Sequence, residues 1–366
     1  MIYEKEMWSE KYRPKRLDEI AGQEEVVNRI KGFVKEKTIP NLLLWGPKGT
    51  GKTSFVYALA NELYGSYDEN VMLIETSDFV EQRKKWLSED KRFKFFYDEQ
   101  KSAIEIFKEI IREYAALRPI NAPFKLLFFN NADLLPGNAQ QALRRVIERS
   151  NKTCRFIFST TRPAGIIPPV RSRCLNLHFT PLDKSDALDA LIKSIAKGEG
   201  LKLTEGGLKT LREYARGDAG VAINMLEAAA TTTRAKTKTK TIDAIGIENV
   251  VQNAFFQRNK AEELIDSACA GRYKDVRAGL EFLIRDEKMG GKEILVEIHE
   301  ALRRKMKISE MAMGEEEEQN LVKRFAQIVL YEGEADLKLC NSLNSIIHLE
   351  EMMTHFFFFR KKENLC

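Results

Sequence analysis

The sequence is poor in the residues that build metal centres and disulfide frameworks. It has five cysteines and four histidines among 366 residues. The cysteines stand far apart, with no C-x-x-C pair and no nearby histidines that would complete a zinc-binding set: Cys154, Cys174, Cys269, Cys340 and Cys366. This spacing excludes a zinc-binding set and predicts reduced thiols in a cytoplasmic protein. His348 and His355, close to an aromatic run at 356–359, are interpreted as apolar-face and interface residues rather than as metal ligands.

Long hydrophobic runs and a dominant charge are also missing. No apolar run approaches the roughly 18 residues of a membrane-spanning helix, so we expect no membrane contact. The net charge is only +5, with an isoelectric point near 8.7. A mildly basic balance permits contact with nucleic acid without demonstrating it. The length exceeds that of one ordinary domain and predicts two or three, each with its own core.

One complete phosphate-binding motif, G-x-x-x-x-G-K-[ST], occupies residues 46–53. Its members are Gly46, Pro47, Lys48, Gly49, Thr50, Gly51, Lys52 and Thr53. The glycines let backbone N–H groups turn toward phosphates, Lys52 neutralises their charge, and the Thr53 hydroxyl suits a magnesium ion. An apolar run at 41–45 precedes the loop, and a helical pattern that begins at Ser54 follows it. The motif and its context predict a site for ATP and Mg²⁺.

Short apolar runs at 41–45, 71–74, 124–129 and 154–159 predict buried strands. Helical patterns at 104–116 and 138–150 lie between them, and another runs from Leu17 through Phe33. Strand-helix alternation around a phosphate loop is typical of a doubly wound parallel sheet, with the nucleotide at the carboxyl ends of the strands. Thr161, just past the fourth strand, is therefore expected within reach of the nucleotide.

Asparagines replace carboxylates at the end of the third predicted strand. In nucleotide-hydrolysing domains this position holds an aspartate beside the magnesium ion and a glutamate that activates water. Here it reads Asn130, Asn131, Ala132, Asp133. An amide cannot take a proton, so a general-base contribution of order 10²–10⁴ in rate is missing. We expect Asp133 to face a helix N-terminus rather than the metal.

Two further segments have open interpretations. Tyr12 and Arg13 lie in an extended arm upstream of the phosphate loop, where they either wall an adenine or pack on the core. The charged segment 79–101 contains basic residues interleaved with aromatics at 91–97. That pattern suits either a nucleic-acid backbone or an amphipathic surface insertion.

Several motifs in combination resemble one family. They are W-S-E-K-Y-R-P at 8–14, L-D-E-I at 17–20 with Gly22 and Gln23, Q-Q-A-L-R-R at 140–145, R-F-I-F-S at 155–159 through S-R-C at 172–174, and G-D at 217–218 with A-I-N at 222–224. The chain is similar to the small subunits of replication factor C, the AAA+ clamp loader. The motifs cover the first 230 residues, and the remainder resembles the family's helical collar more weakly.

The resemblance implies an AAA+ nucleotide-binding domain at 1–181, a small helical lid at 182–241 and a helical collar for oligomerisation at 242–366. A polar run at 231–240 reads as a linker that closes the lid. The implied partners are the other subunits of a hetero-pentameric clamp loader, a sliding clamp of the proliferating cell nuclear antigen type, and primer-template DNA. The site residues implied for the nucleotide are those of the loop with Ser54, Tyr12, Arg13 and Thr161.

The family's Ser-Arg-Cys motif falls on 172–174, which implies that Arg173 is an arginine finger for the nucleotide of the adjacent subunit. Such a finger is worth about 10³–10⁵ in hydrolysis rate. Three hydrolytic features of the family are absent: the acidic box is replaced at 130–133, its first sensor falls on Thr161 and its second on Gly220. We therefore expect a subunit that supplies a finger but hydrolyses little ATP itself. A divergent archaeal-type second small subunit, at the end of the open spiral, fits this pattern.

Two alternatives remain. In one, the chain is a self-sufficient AAA+ ATPase in which Asp133 substitutes for the missing carboxylates. In the other, it is a scaffold with a vestigial nucleotide site. DNA contact through the helix of Arg144 and Arg145, or an inter-subunit role for these arginines, is likewise open.

Overall fold

The computed structural model describes residues 6–65, 70–77, 100–184, 186–237, 241–254, 256–310, 315–340, 342 and 344–362. The chain divides into two compact units, residues 1–248 and 249–366. The predicted nucleotide-binding and lid segments both lie in the first unit. The finer limits at 181 and 241 stay predictions.

A parallel sheet forms the centre of the first unit. Its strands are β1 (Leu42–Trp45), β2 (Val71–Glu75), β3 (Lys125–Asn130), β4 (Cys154–Thr160) and β5 (Leu175–His178). Among the described residues they make a five-stranded sheet in the order β2-β3-β4-β1-β5. Because all neighbours are parallel, the carboxyl ends of the strands meet at one edge. The predicted doubly wound sheet is confirmed.

The helices of the first unit cover both faces of this sheet and form the lid. They are α1 (Trp8–Lys11), α2 (Glu24–Glu36), α3 (Lys52–Tyr64), α4 (Ala103–Ala116), α5 (Gly137–Arg149), α6 (Pro168–Arg171), α7 (Ala187–Gly198), α8 (Glu205–Ala215) and α9 (Ala219–Thr237). A further helix, α10 (Ala244–Ala254), begins in the first unit and continues past its boundary at residue 248. The small parallel pair β6 (Lys202–Leu203) and β7 (Thr241–Ile242) joins the lid helices. Short 3₁₀ turns occur at Leu17–Glu19, Ala132–Leu134, Pro163–Gly165 and Leu182–Lys184.

Burial on both faces explains why the sheet strands read as continuous apolar runs. Phe128 and Ile157 pack toward α3, whereas Phe129 and Phe158 pack toward α4 and α5. The side chain of Asn41 fixes the start of β1: its Oδ1 accepts from the Phe156 N–H at 2.9 Å, and its Nδ2 donates to a carbonyl in the loop before β5 at 3.3 Å. Asn41 thus ties the start of β1 to its two neighbours in the sheet, β4 and β5.

Two predicted elements differ in the structure. The single helix expected from Leu17 to Phe33 is instead a 3₁₀ turn followed by α2, since Gly22 with a φ of +68° interrupts it. The predicted linker at 231–240 is helical as far as Thr237. Thr231 and Thr232 donate their hydroxyls to carbonyls four residues back, at 2.9 Å each, so these polar side chains are satisfied within α9.

The second unit is helical in its described residues. Its further helices are α11 (Phe256–Cys269), α12 (Tyr273–Arg285), α13 (Gly291–Glu310), α14 (Glu315–Leu339) and α15 (Ser345–Lys362). They share a core around Leu280, Ile298 and Met353. His355 stacks on Tyr331 with 3.8 Å between ring centroids, and His348 lies beside Glu351. No helix in the described part of the chain is long and apolar enough to cross a membrane.

Candidate nucleotide-binding site

The phosphate loop joins β1 to α3 through backbone conformations that favour glycine. Gly46, Gly49 and Gly51 have φ values of +151°, +67° and +91°. A Cβ on Gly46 would also lie 2.1 Å from the Phe179 carbonyl oxygen, so the loop passes β5 too closely for any side chain. Gln23 ties the same two regions together, because its Nε2 donates to the carbonyls of Thr50 at 3.3 Å and Thr180 at 2.8 Å.

Lys52 is folded back inside its own loop. Its Nζ donates to the carbonyl oxygens of Gly46 at 2.8 Å and Pro47 at 2.5 Å. Burial lowers its pKa to about 8, and the charge of Asp218 opposes that shift. The ammonium therefore occupies the loop in which an anion is expected, and a bound phosphate would favour its charged form.

The lid reaches the phosphate loop through the start of α9. The Ala219 N–H donates to the Gly49 carbonyl at 3.0 Å. Asp218 caps α9, since its Oδ1 accepts from the Val221 N–H at 3.0 Å, and a Cβ on Gly49 would overlap this carboxylate. Gly220 offers no side chain at this point. The charged group that the start of α9 brings to the loop is therefore the Asp218 carboxylate rather than a basic side chain.

A cleft of about 430 Å³ opens between the loop, the N-terminal arm and the lid. It is lined by ten of the predicted site residues: Tyr12, Arg13, Lys48, Gly49, Thr50, Gly51, Lys52, Thr53, Ser54 and Thr161. The other two, Gly46 and Pro47, contact the cleft's lysine through their carbonyls. Ile20, Leu182 and Ile223 supply apolar walls. The predicted residues therefore meet in one cavity of a size that suits a nucleotide.

The N-terminal arm packs on its own unit and also borders the cleft. The Tyr12 hydroxyl donates to Glu199, which lies on the lid, at 3.0 Å. Burial is the larger cause that raises the pKa of Tyr12, and the hydrogen bond to Glu199 raises it further. The Arg13 guanidinium lies 4.4 Å from the ring centroid of Tyr57. Both side chains are thus packed on their own unit while also lining the cleft. Contact with an adenine stays a prediction.

A carboxylate that was not predicted from the sequence lies beside the two asparagines. Asn130 and Asn131 line the cleft, and each donates its Nδ2 to a different oxygen of Glu75, both at 2.8 Å. Glu75 ends β2 and is the register partner of Asn130 on β3. The available signal was an acidic residue directly after the predicted strand 71–74, on a strand parallel to the one that ends in the asparagines.

Asp133 points to a different set of partners. It accepts from the Thr160 hydroxyl at 2.6 Å and from Arg162 Nε at 3.1 Å, and its side chain is 6% exposed. It lies in the 3₁₀ turn Ala132–Leu134 and is not among the described residues that line the cleft. The expectation that Asp133 faces a helix N-terminus is therefore wrong: its carboxylate accepts from two side chains and ties this turn to the end of β4.

The donor atoms around the cleft fit a small hard cation. The Thr53 hydroxyl and the amide oxygens of Asn130 and Asn131 are neutral oxygen donors, of the kind that accept from metal-bound water. The Glu75 carboxylate lies directly behind the two amides and supplies a negative charge. Mg²⁺ retains most of its water and needs few protein ligands, so this set suits it.

Arg173 lies at the surface, away from the described lining of the cleft of its own chain. Its guanidinium is paired with Glu148 on α5, with Nε donating at 3.0 Å, while Nη1 donates to the Pro169 carbonyl at 2.7 Å. The side chain is 29% exposed. A carboxylate and a carbonyl thus hold its fork in one orientation at the rim of α5.

The basic helix α5 borders a second, open cavity of about 1000 Å³. Arg144 and Arg145 line it together with Lys108, Arg112, Arg149 and Lys152. The cavity therefore has a cationic rim, which suits a phosphate backbone or an acidic protein surface equally well. Most of the charged segment at 79–101 lies outside the described residues.

Comparison with known proteins agrees with this geometry. Residues 42–182 match the family described as ATPase family associated with various cellular activities (AAA). The chain is 33% identical to the replication factor C small subunit of Archaeoglobus fulgidus, over 98% of this chain and 99% of the relative. It is 37% identical to that of Thermofilum pendens, over 80% and 82%.

Solved structures match the fold at lower identity. The RuvB Holliday junction branch migration motor of Thermotoga maritima is 17% identical, with a TM-score of 0.51 over 78% of this chain and 84% of that one. The parallel sheet, phosphate loop and following helices described above are thus an AAA+ arrangement.

Proposed function

Because the chain belongs to the replication factor C small subunit family, we propose that it is a small subunit of a clamp loader. That complex uses ATP to open a ring-shaped sliding clamp and to place it on primer-template DNA. The observation that carries the proposal is the combination of a complete phosphate loop facing a cleft with an arginine finger candidate outside it. The helical unit 249–366 is the proposed collar, through which the subunits of a hetero-pentamer assemble.

The cleft holds ATP with Mg²⁺ in this proposal. Backbone N–H groups of the loop bind the phosphates, Lys52 exchanges its two carbonyl partners for phosphate oxygens, and Thr53 faces the cation. When bound, Mg²⁺ neutralises phosphate charge. Tyr12 and Arg13 border the base end of the cleft, where the apolar walls exclude water.

Hydrolysis at this chain's own site is weak in the proposal. Asn130 and Asn131 stand where a proton acceptor is needed, and Asp133 is occupied by Thr160 and Arg162. Gly220 lines the cleft without a side chain, and none of the described lid residues that line it is a cation. The ATP is therefore retained as a structural ligand, which keeps lid and core together through the contact of Ala219 with Gly49.

Arg173 acts in trans, on the nucleotide of the adjacent subunit. Its ion pair with Glu148 presents a pre-oriented guanidinium at the surface, which lowers the entropy lost when it meets a phosphate. A subunit that supplies an arginine finger to its neighbour, but receives none at its own site, fits the end of an open spiral of subunits, beside the gap.

The test compares two variants in the assembled, DNA-stimulated ATPase. Arg173→Ala is expected to lower the rate by at least about 10³ at the one site it serves. Lys52→Ala is expected to change the total rate much less, since its own site contributes little. Arg171→Ala, two residues before Arg173 at the end of α6, is the matched control for loss of a positive charge. Equal losses for Arg173→Ala and Lys52→Ala would contradict the division of labour.

A separate measurement addresses the alternatives. Equilibrium binding of a labelled ATP analogue to the purified chain is expected in the micromolar range or tighter, as for other phosphate loops. No binding would favour a scaffold with a vestigial site. Clear ATP hydrolysis by the isolated chain, lost on Asp133→Asn, would favour the self-sufficient ATPase.

A further inference from the structure

Glu75 is the described carboxylate that meets both asparagines at the end of β3. Its two oxygens each accept one amide hydrogen bond at 2.8 Å, from Asn130 and from Asn131. The Ser77 hydroxyl lies 3.4 Å from Oε1. An ionised carboxylate only accepts hydrogen bonds, so the adjacent atom of each amide must be the NH₂ group. This fixes how both asparagine side chains are turned.

Orientation of the amides determines what they present to the cleft. With each Nδ2 committed to Glu75, each Oδ1 is directed away from that carboxylate and is available to an acidic hydrogen, such as one on a metal-bound water. Asn131 has a φ of +52°, a left-handed conformation that asparagine tolerates better than most residues. The three side chains therefore form one small network, with the charge behind and the acceptors toward the nucleotide.

From this network we infer that Glu75 is the positioning residue of the metal-nucleotide site, and that it supplies the negative charge absent from Asn130 and Asn131. The carboxylate stands at the end of β2 and the amides at the end of β3. Glu75 is not among the described residues that line the cleft, so its charge supports the cation from behind the two amides and does not reach a water as a base. The inference rests on the proposed binding of ATP with Mg²⁺.

The sign of the expected effect follows from charge alone. Without a cation, Glu75 repels the phosphates; with Mg²⁺ present, it attracts the ion. Glu75→Gln removes the charge and replaces one acceptor by a donor, so one asparagine must turn over. The variant should bind a fluorescent ATP analogue more tightly in EDTA and less tightly in Mg²⁺. We expect the ratio of the two dissociation constants to shrink by about tenfold, which corresponds to one unit charge several ångströms away in a partly screened site.

Two further variants distinguish the proposed role of Glu75 at the metal-nucleotide site from a general structural role. Asp133→Asn removes the carboxylate that follows the two asparagines in the chain, whose partners are Thr160 and Arg162, and should leave the Mg²⁺ ratio unchanged. The double variant Glu75→Asn with Asn130→Asp moves the charge back to β3 and should restore the ratio. Thermal unfolding followed by tryptophan fluorescence checks that every variant is folded.

The outcomes separate the role of Glu75 from nucleotide binding itself. If the wild-type chain binds no nucleotide in either condition, the proposed function fails. If it binds nucleotide with a clear Mg²⁺ advantage that Glu75→Gln leaves intact, the role of Glu75 is refuted while nucleotide binding stands. A folded double variant that keeps the reduced ratio of Glu75→Gln would also refute it.

Discussion

Replacing Gln140 by alanine should strongly destabilise the first unit of the chain, because this buried side chain completes the hydrogen bonding of two loops. Gln140 is 3% exposed on α5. Its Nε2 donates to the carbonyls of Leu135 and Gly165, both at 2.9 Å, and its Oε1 accepts from the Ile167 N–H at 2.8 Å. One side chain thus satisfies three backbone groups, including two in the loop that leads to Arg173.

The magnitude follows from those three hydrogen bonds. Each contributes about 1 kcal/mol net, and a buried partner left unsatisfied costs about 1–3 kcal/mol. Gln140→Ala should therefore lower the free energy of unfolding by about 3 kcal/mol or more. Gln141→Ala is the matched control, since the adjacent side chain is exposed on the same helix and carries the same change in helix propensity. The difference between the two variants isolates the buried network.

Urea unfolding followed by tryptophan fluorescence is the assay. All three tryptophans, at positions 8, 45 and 86, lie in residues 1–248, so the signal reports the first unit. Trp45 stacks on His178 at 3.8 Å between centroids, at the end of the sheet, which should make its emission sensitive to unfolding. A difference below about 1 kcal/mol between Gln140→Ala and Gln141→Ala would refute the reasoning, because even one net hydrogen bond contributes that much.

Three further predictions concern the cleft and the thiols. Burial lowers the pKa of Lys52 to about 8, and a bound phosphate should raise this pKa again. Above about pH 8, nucleotide binding should therefore take up a proton. The affinity should then fall as the pH rises from about 8, by up to about tenfold per pH unit. Calorimetry in two buffers of different ionisation enthalpy measures this uptake, and Lys48→Met, in the same loop, should retain it whereas Lys52→Met should not. Gly220→Arg should tighten binding of an ATP analogue by about tenfold, because the new guanidinium could make a charge-assisted hydrogen bond from a position that lines the cleft. Gly220→Ala, the control, should change the dissociation constant by less than about twofold. An unchanged dissociation constant for the arginine variant would contradict the assignment of the cleft to the nucleotide. Burial raises the pKa of Cys154 and Cys174 to about 12. Cys340 is instead exposed, and its Sγ lies 3.1 Å from the Lys292 ammonium. Iodoacetamide should therefore label Cys340 at least about 100-fold faster than the two buried thiols, and peptide mass spectrometry measures this ratio.

Local sequence was sufficient for the elements around the phosphate loop. The loop motif demands a strand before it and a helix after it, and the apolar runs at 124–129 and 154–159 are typical of strands buried on both faces. The observed β3 and β4 each agree with these runs to within one residue at either end. The short strand β5 was not predicted, because only Leu175 and Leu177 of its four residues are apolar and a run of that length has no distinct period.

The contacts that define the site were less accessible to sequence reasoning. Glu75 and Asn130 are far apart in the chain and meet only because β2 pairs with β3 in one register. Likewise, the ion pair of Arg173 with Glu148 depends on how α5 packs beside the loop before β5. Such contacts follow from strand order and helix packing, which a single sequence with local periodicity does not specify.

The network at the strand ends bears on why a site without its acidic box would still retain nucleotide. If the two carboxylates of the acidic box were lost without replacement, the strand ends would carry no negative charge. The positive charges of Lys52 and of a cation would then be unbalanced once the phosphates leave. Glu75 restores one charge, from a position behind the two amides and outside the described lining of the cleft. A charge placed there acts on the cation by Coulomb attraction, whereas activating a water needs a base within hydrogen-bond reach of that water. In the proposed function, binding and hydrolysis are thereby separable at this site, and a chain that binds ATP without consuming it can still present Arg173 to a neighbour.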